Sequence, residues 1–323
     1  MWLHHYAKFV SAATVLLIVA GGLVTSTGSG LAVPDWPTSY GWNMFTFPMK
    51  YMVGGIFYEH GHRLIASGVG FLTIILALWM WKAEPRRWMR VLGFTALAAV
   101  CVQGILGGIT VRYFLPTEVS TAHAGLAQIF FCLTVAIALF TSRGWTEPKY
   151  EPVDDRRLRI VAMTTTAFIY LQIIVGATMR HSDAGLAIPD FPLVFGGLIP
   201  PDWTPQIAIH YAHRVGALIV TLTIAATVGH VLYHHQSRRE LRKPALTLAC
   251  LVLAQVTLGA FVIWSEKNVA INTAHVVVGG LALATSLVLT LRSHQVRFGG
   301  TAAAAVRARK PITPHLGQSG ARA

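Results

Sequence analysis

The chain has 323 residues, of which 54% are apolar and only 12% charged, and its mean hydropathy is +0.55. Such a composition excludes a cytosolic enzyme and a soluble two-domain protein, and places the chain in a bilayer. Basic residues outnumber acidic ones 26 to 13, for a formal charge of +13, so the positions of these charges must decide between nucleic acid and membrane topology.

Eight apolar stretches of about 20 residues follow one another, the length that crosses roughly 30 Å of hydrocarbon as a helix. In chain order they are 9–25, 59–81, 91–111, 120–140, 159–179, 209–233, 246–264 and 271–291. Backbone groups in lipid must be satisfied within the segment, so the fold class expected is an all-α membrane protein. Cys101, Cys132 and Cys250 each sit alone inside an apolar run, with no spacing for a bridge or a metal site, and read as small core residues.

An even number of spans puts both termini on one side. Lys8, the loops after the second, fourth and sixth spans, and the C-terminal tail together hold 20 of the 26 Lys and Arg residues. The other loops hold only Lys50, Arg112, Arg180 and Lys267, while Arg63 and Arg214 fall within spans. The positive-inside rule therefore predicts cytoplasmic termini, and the charge excess calls for no nucleic-acid partner. The tail from Phe298, rich in Ala, Gly, Arg and Pro, reads as disordered.

The chain also repeats itself. Gly30-Leu31-Ala32-Val33-Pro34-Asp35-Trp36-Pro37 returns 155 residues later as Gly185-Leu186-Ala187-Ile188-Pro189-Asp190-Phe191-Pro192. His62-Arg63 returns as His213-Arg214, and Thr121-Ala122-His123 as Thr273-Ala274-His275. A Gln and a Gly four apart recur as Gln103/Gly107, Gln172/Gly176 and Gln255/Gly259, a spacing that lets helices approach closely. The expected architecture is two tandem, pseudo-symmetric four-helix bundles, over residues 1–145 and 146–297, followed by the tail 298–323.

His62, His123, His213 and His275 each begin an even-numbered span, at one depth near the outer face. Ionisable residues inside membrane helices tend to be functional, and two imidazoles on opposite helices of one bundle suit six-coordinate heme iron better than zinc. Each half thus offers one pair, His62 with His123 and His213 with His275. Arg63 and Arg214 have the geometry to pair carboxylates such as heme propionates, or to reach the interface. The copies differ where Glu59 aligns with His210. Glu59 shares a helix face with His62, so only the first half hangs a carboxylate beside its pair, suited to handling a proton or stabilising positive charge. His60 faces elsewhere, His210 shares a face with His213, and Asp35 and Asp190 read as caps in their turns.

The run Glu59-His60-Gly61-His62-Arg63, the Thr-Ala-His helix starts and the duplicated Gly-Leu-x-x-Pro-Asp turns together resemble the heme A synthase family, over about residues 9–291. The resemblance implies oxidation of the C8 methyl group of heme O to a formyl group. The first half, with Glu59, His62 and His123, would then take heme O as substrate, while His213 and His275 would ligate a permanent heme b. It further implies a bacterial inner-membrane location, a membrane electron carrier such as a quinone, the heme O-producing farnesyltransferase as a partner, and scope for a homo-oligomer. Some members carry a cysteine pair in the first outer loop. This chain has Val33 and Ser39 there, which removes thiol chemistry. The residues by themselves also fit a di-heme electron-transfer or heme-binding assembly protein without turnover.

Overall fold

The computed structural model describes residues 2–148 and 151–298. Nearly all of it is helix: α1 (Trp2–Ser26), α2 (Gly55–Ala83), α3 (Arg87–Arg112), α4 (Thr117–Phe140), a single turn α5 (Arg143–Thr146), α6 (Arg156–His181), α7 (Pro205–His234), α8 (Arg239–Trp264) and α9 (Val269–Ser293). All but α5 are long and apolar enough to cross a membrane, and they contain the eight expected spans, extended by some residues at most ends. The protein is a multi-pass membrane protein. Among the described residues there are no strands, only the isolated bridges Ser39–Trp42 and Val194–Gly197, which stand at equivalent places in the repeated turns.

Local chemistry sets the ends. Asp155 caps α6 by accepting the Leu158 N–H, Thr204 caps α7 through Ile207, and Asn268 caps α9 through Ala270 and Ile271. Pro116 and Pro205 stand at helix starts, where a missing N–H costs nothing. The helix pairs α3–α4 and α8–α9 are joined through left-handed residues, Phe114 and Leu115 in one, Glu266 and Lys267 in the other. Leu115 N–H reaches back to Thr110 O, and Lys267 N–H to Val262 O, so both junctions close the same way.

α1 packs on α2 and α4, and α3 on α2 and α4. α6 packs on α7 and α9, and α8 on α7 and α9. One core gathers Val10, Leu76, Met80, Met89, Phe130 and Ile137, and the other Leu158, Ile224, Val231, Leu241, Leu248 and Leu289. The two sets meet where α1 touches α9 and where α4 touches α6 and α9. α4 and α9 accordingly bury 50% and 44% of their most apolar stretch, against 17–28% for the other six. Small and hydroxyl residues line the contacts. Gly22 faces the Thr273 methyl group, Gly280 faces the Gln128 amide, and Thr166 bonds both Ser286 and Thr290 at 2.8 Å. Between membrane helices such close approach and hydroxyl pairing supply the association that lipid does not.

At the opposite end from the repeated turns, His230 Nε2 and His235 Nε2 stand 2.7 and 2.9 Å from Asp155 Oδ2, tying the end of α7 to the start of α6. Burial pushes the Asp155 carboxyl up, but the bonds from His230, Leu158 N–H and His235 more than offset this and hold it far below the ordinary carboxylate range.

Two expectations change. Cys101 and Cys250 are exposed on the outer surfaces of α3 and α8, and only Cys132 is partly buried. In a membrane protein the lipid-facing side is as apolar as the core, so hydropathy cannot tell them apart. Phe298, expected to begin the tail, ends a helical turn (Gln295–Phe298) and packs against Trp88, Phe140 and Trp145. The rest of that tail lies outside the described residues.

Gly280 tests the seam. A β-carbon there would stand 2.8 Å from Gln128 Oε1, the movable end of a side chain. Gly280→Ala is therefore expected to be tolerated, whereas Gly280→Leu should destabilise the detergent-solubilised protein by about 1–3 kcal/mol, read as a lowered thermal midpoint by circular dichroism.

Candidate heme-binding site

The outer loops are built on the repeated turn. Asp35 accepts N–H bonds from Tyr40 (2.7 Å) and Gly41 (2.9 Å), and Asp190 accepts the equivalent pair from Phe195 and Gly196, both at 2.8 Å. Each turn is then tied to the helix that follows. Arg63 donates from Nη1 to Asp35 O and Thr38 O and from Nη2 to Val33 O, while Arg214 donates to Leu193 O and Ile188 O. The conformation that folds the loop onto the helix end thus comes from a guanidinium satisfying backbone carbonyls.

One turn earlier on the same helix, Glu59 accepts the Val33 N–H through Oε2 and Arg63 Nη2 through Oε1, both at 2.7 Å. It is only 3% exposed. In the second copy His210 Nδ1 takes the corresponding N–H, from Ile188, at 3.2 Å. The aligned Glu59 and His210 therefore perform one structural task, and the copies differ in the charge that performs it. His60 packs on Phe47 and lies 2.9 Å from Ser39 Oγ, away from His62. Ser39 and Val33 are thus both engaged in holding the loop to α2.

The four paired histidines share one environment. His62 of α2 lays its Cε1 edge against Gly21 of α1, and His123 of α4 does so against Gly107 of α3. His213 of α7 faces Gly176 of α6, and His275 of α9 faces Gly259 of α8. A β-carbon at these glycines would stand 3.1, 3.1, 2.8 and 3.2 Å from the ring carbon, so a side chain there would displace the imidazole. The glutamines of the Gln–Gly pairs hold the ring-bearing backbone. Gln103 donates to His123 O at 2.9 Å and Gln172 to His213 O at 2.7 Å, while Gln255 stands 3.3 Å from His275 Nε2.

The electrostatic surroundings of His62 include His123, and those of His213 include His275. Nδ1 of His62, His123 and His275 is buried without a hydrogen-bond partner. Each of the four residues is only partly buried. Imidazoles with buried, unpaired nitrogens, set in spaces kept by glycine, fit the donor set that a six-coordinate heme requires.

The structure puts Arg63 and Arg214 to work on the loops. All four Nη bonds of Arg63 go to protein oxygens, whereas the less buried Arg214 makes two and stacks its guanidinium 5.8 Å from the Phe191 ring centroid. Sequence reasoning passed over the cradle glycines as ligand-shaping residues. Their signal was the Gln–Gly spacing, read there as helix approach, and Gly21 lacks even that because Leu17 stands where a Gln would be.

The described residues thus form a multi-pass membrane protein with four glycine-faced histidines and loops clamped to their helices. The family model for COX15-CtaA, described as cytochrome oxidase assembly protein, matches residues 4–287, and the chain belongs to this family. Among curated relatives, the protein named heme A synthase from Alkalihalophilus pseudofirmus is 26% identical over 295 residues, covering 90% of this chain and 98% of its own length. Those of the same name from Staphylococcus carnosus and Staphylococcus haemolyticus are each 29% identical, covering 88% and 92% of this chain and 93% and 97% of their own.

Two measurements follow. Burial pushes the Asp35 carboxyl up, but bonds from Gly41 N–H, Thr38 Oγ1 and Tyr40 N–H outweigh it and hold it below the ordinary carboxylate range. A depressed folded-state value stabilises the loop above the unfolded pKa of about 4 and loses that contribution as pH falls through the folded value. Hydrogen exchange at Tyr40 and Gly41 should therefore stay slow at pH 5 and accelerate below about pH 4, and Asp35→Asn should exchange fast at both. Gly176→Ala, which must shift the His213 ring, should weaken heme retention about tenfold. Gly61→Ala, where a β-carbon meets open space, should leave it unchanged, with heme per protein as the readout.

Proposed function

We propose that the chain is a heme A synthase, a bacterial plasma-membrane oxidoreductase that converts the C8 methyl group of heme O to the formyl group of heme A for terminal cytochrome oxidase. The observation that carries this reading is the set of four glycine-faced imidazoles, with a carboxylate clamp, Glu59, in the first half alone. Residues 1–145 and 146–297 are read as two pseudo-symmetric four-helix bundles related by an axis along the membrane normal, both termini cytoplasmic and both pairs near the extracytoplasmic side. The loop-to-helix clamps and junction geometry repeated in each half support it.

In this reading His62 and His123 hold heme O as substrate, and His213 and His275 hold a resident heme b. Bound heme would supply the one-electron chemistry, one water would supply the formyl oxygen, and a quinone-class carrier would take onward the four electrons that the methyl group gives up with its protons. The protein's share is positioning and electrostatics. Gln103 and Gln172 anchor the backbone of His123 and His213, and the glycines keep the rings from drifting toward lipid. The outer loops, clamped by Arg63 and Arg214, cover the pairs and keep bulk water from the reacting carbon.

Glu59 contributes the carboxylate of the first half, ion-paired with Arg63 and bonded by the Val33 N–H. That charge stabilises positive charge developing at the substrate methyl group and accepts the proton it loses. In the second half the neutral His210 does the clamping without supplying such a charge. The farnesyltransferase that makes heme O is the natural donor, by direct transfer within the membrane, and self-association is compatible with the exposed apolar faces.

The test is expression in a heme O-producing bacterial host, followed by heme extraction and mass analysis. The parent chain should yield heme A or its hydroxylated precursor. Glu59→Gln should lower the yield by about a hundredfold or more while retaining bound heme. Heme B alone from the parent chain, or an undiminished yield from Glu59→Gln, would sink the reading.

A further inference from the structure

Arg180 stands one residue before the end of α6, at the seam between the halves. Its Nη2 donates to Ser26 Oγ of α1 at 2.8 Å and to Gly22 O at 3.1 Å. Ser26 Oγ in turn accepts from Thr273 Oγ1 of α9 at 3.0 Å, two residues before His275. The guanidinium therefore lies where α1, α6 and α9 converge, beside the helix turn that presents the second pair's imidazole. Its charge is felt at His275, and the neighbouring His181 is felt at His123.

What sets Arg180 apart is the lack of compensation. Its Nε is buried with no hydrogen-bond partner. Among the described residues the ion pairs join Arg63, Arg86, Arg159, Arg238, His230 and His235 to acids, and none reaches Arg180. The C-terminal end of α1 offers it only partial negative charge. A sequestered guanidinium with a free donor edge is costly unless an anion completes it.

The repeat sharpens the contrast. The position 155 residues earlier is Thr25, whose hydroxyl simply bonds Gly21 O in its own helix. Arg63, the cation aligned with the first pair, has every Nη donor committed to the loop and Glu59. A partly buried cation with an unpartnered Nε therefore stands within electrostatic reach of His275, and the equivalent position of the first half holds no cation.

We propose that Arg180 is a carboxylate-binding residue, and that its ligand is a carboxylate on the edge of the porphyrin held by His213 and His275. The inference rests on the reading of those histidines as heme ligands. The donors that Gly22 and Ser26 leave uncommitted can take a carboxylate oxygen, and such a charge-assisted bond adds to the iron–imidazole bonds. It also explains why the second site, unlike the first, retains its porphyrin: a substrate must leave, whereas a resident cofactor is held by charge as well as by iron.

The test uses the full-length protein carrying His62→Ala and His123→Ala, so that one pair remains, titrated with protoheme IX and with its dimethyl ester and followed by Soret absorbance. With Arg180 intact, the ester should bind about tenfold or more weakly than the free acid. In Arg180→Met the free acid should fall to the level of the ester, and in Arg180→Lys part of the preference should return. A purely structural clamp would weaken both porphyrins alike and leave the ratio unchanged. That outcome, or the absence of any preference in the parent, which needs no substitution at Arg180, overturns the proposal. His275→Ala separates the two claims. Loading undiminished there overturns the ligation reading and this proposal together, whereas lost loading there with an unaltered ratio in Arg180→Met overturns this proposal alone.

Discussion

Each imidazole at the outer ends of α2, α4, α7 and α9 has its position because the adjacent odd-numbered span has a glycine opposite it. An imidazole is too wide for a normal helix–helix contact, and in lipid it has no water to fall back on. With a methyl group at Gly21, Gly107, Gly176 or Gly259 the ring would be pushed by tenths of an ångström or more, toward lipid or into its partner. The position of each ring depends on that steric permission.

A second constraint acts from above. Loops over a membrane helix bundle expose backbone carbonyls that must be satisfied, and here the helix below sends up an arginine to do it. Arg63 and Arg214 make the same kind of bond to equivalent turns, Asp35 and Asp190 hold those turns shut, and Glu59 and His210 complete the attachment. The copies share this scaffold almost bond for bond. They differ in charge at the clamp, a carboxylate in the first and an imidazole in the second, and in the number of bonds their arginines make.

The seam between halves explains why the two bundles act as one body. α4 and α9 are the most enclosed spans, and the seam runs through Gly22 against Thr273, Gly125 against Ile174 and Tyr170, Gly280 against Gln128, and the Thr273–Ser26 hydroxyl bond. Close backbone approach at this seam brings Arg180 of the second half onto the helix end of the first, so that one cation is in electrostatic contact with both halves.

Much of this was legible in the amino-acid order. Span number, the repeated turns, the four histidines at equivalent helix positions and the alignment of Glu59 with His210 all follow from hydropathy and from residues recurring at near-constant offsets, because helix periodicity and membrane thickness leave little freedom along the chain. Which face of a span meets protein and which meets lipid was not legible, since both are apolar, and Cys101 and Cys250 were misplaced for that reason. Nor could the order of residues assign Arg63 to loop carbonyls, link Glu59 to Val33 across 26 residues, or set Arg180 beside Ser26, 154 residues away. Those bonds depend on how separate helices rotate and approach one another, and that is decided by glycine contacts and hydroxyl pairs between spans. Along a single span, nothing records which neighbour a glycine will face.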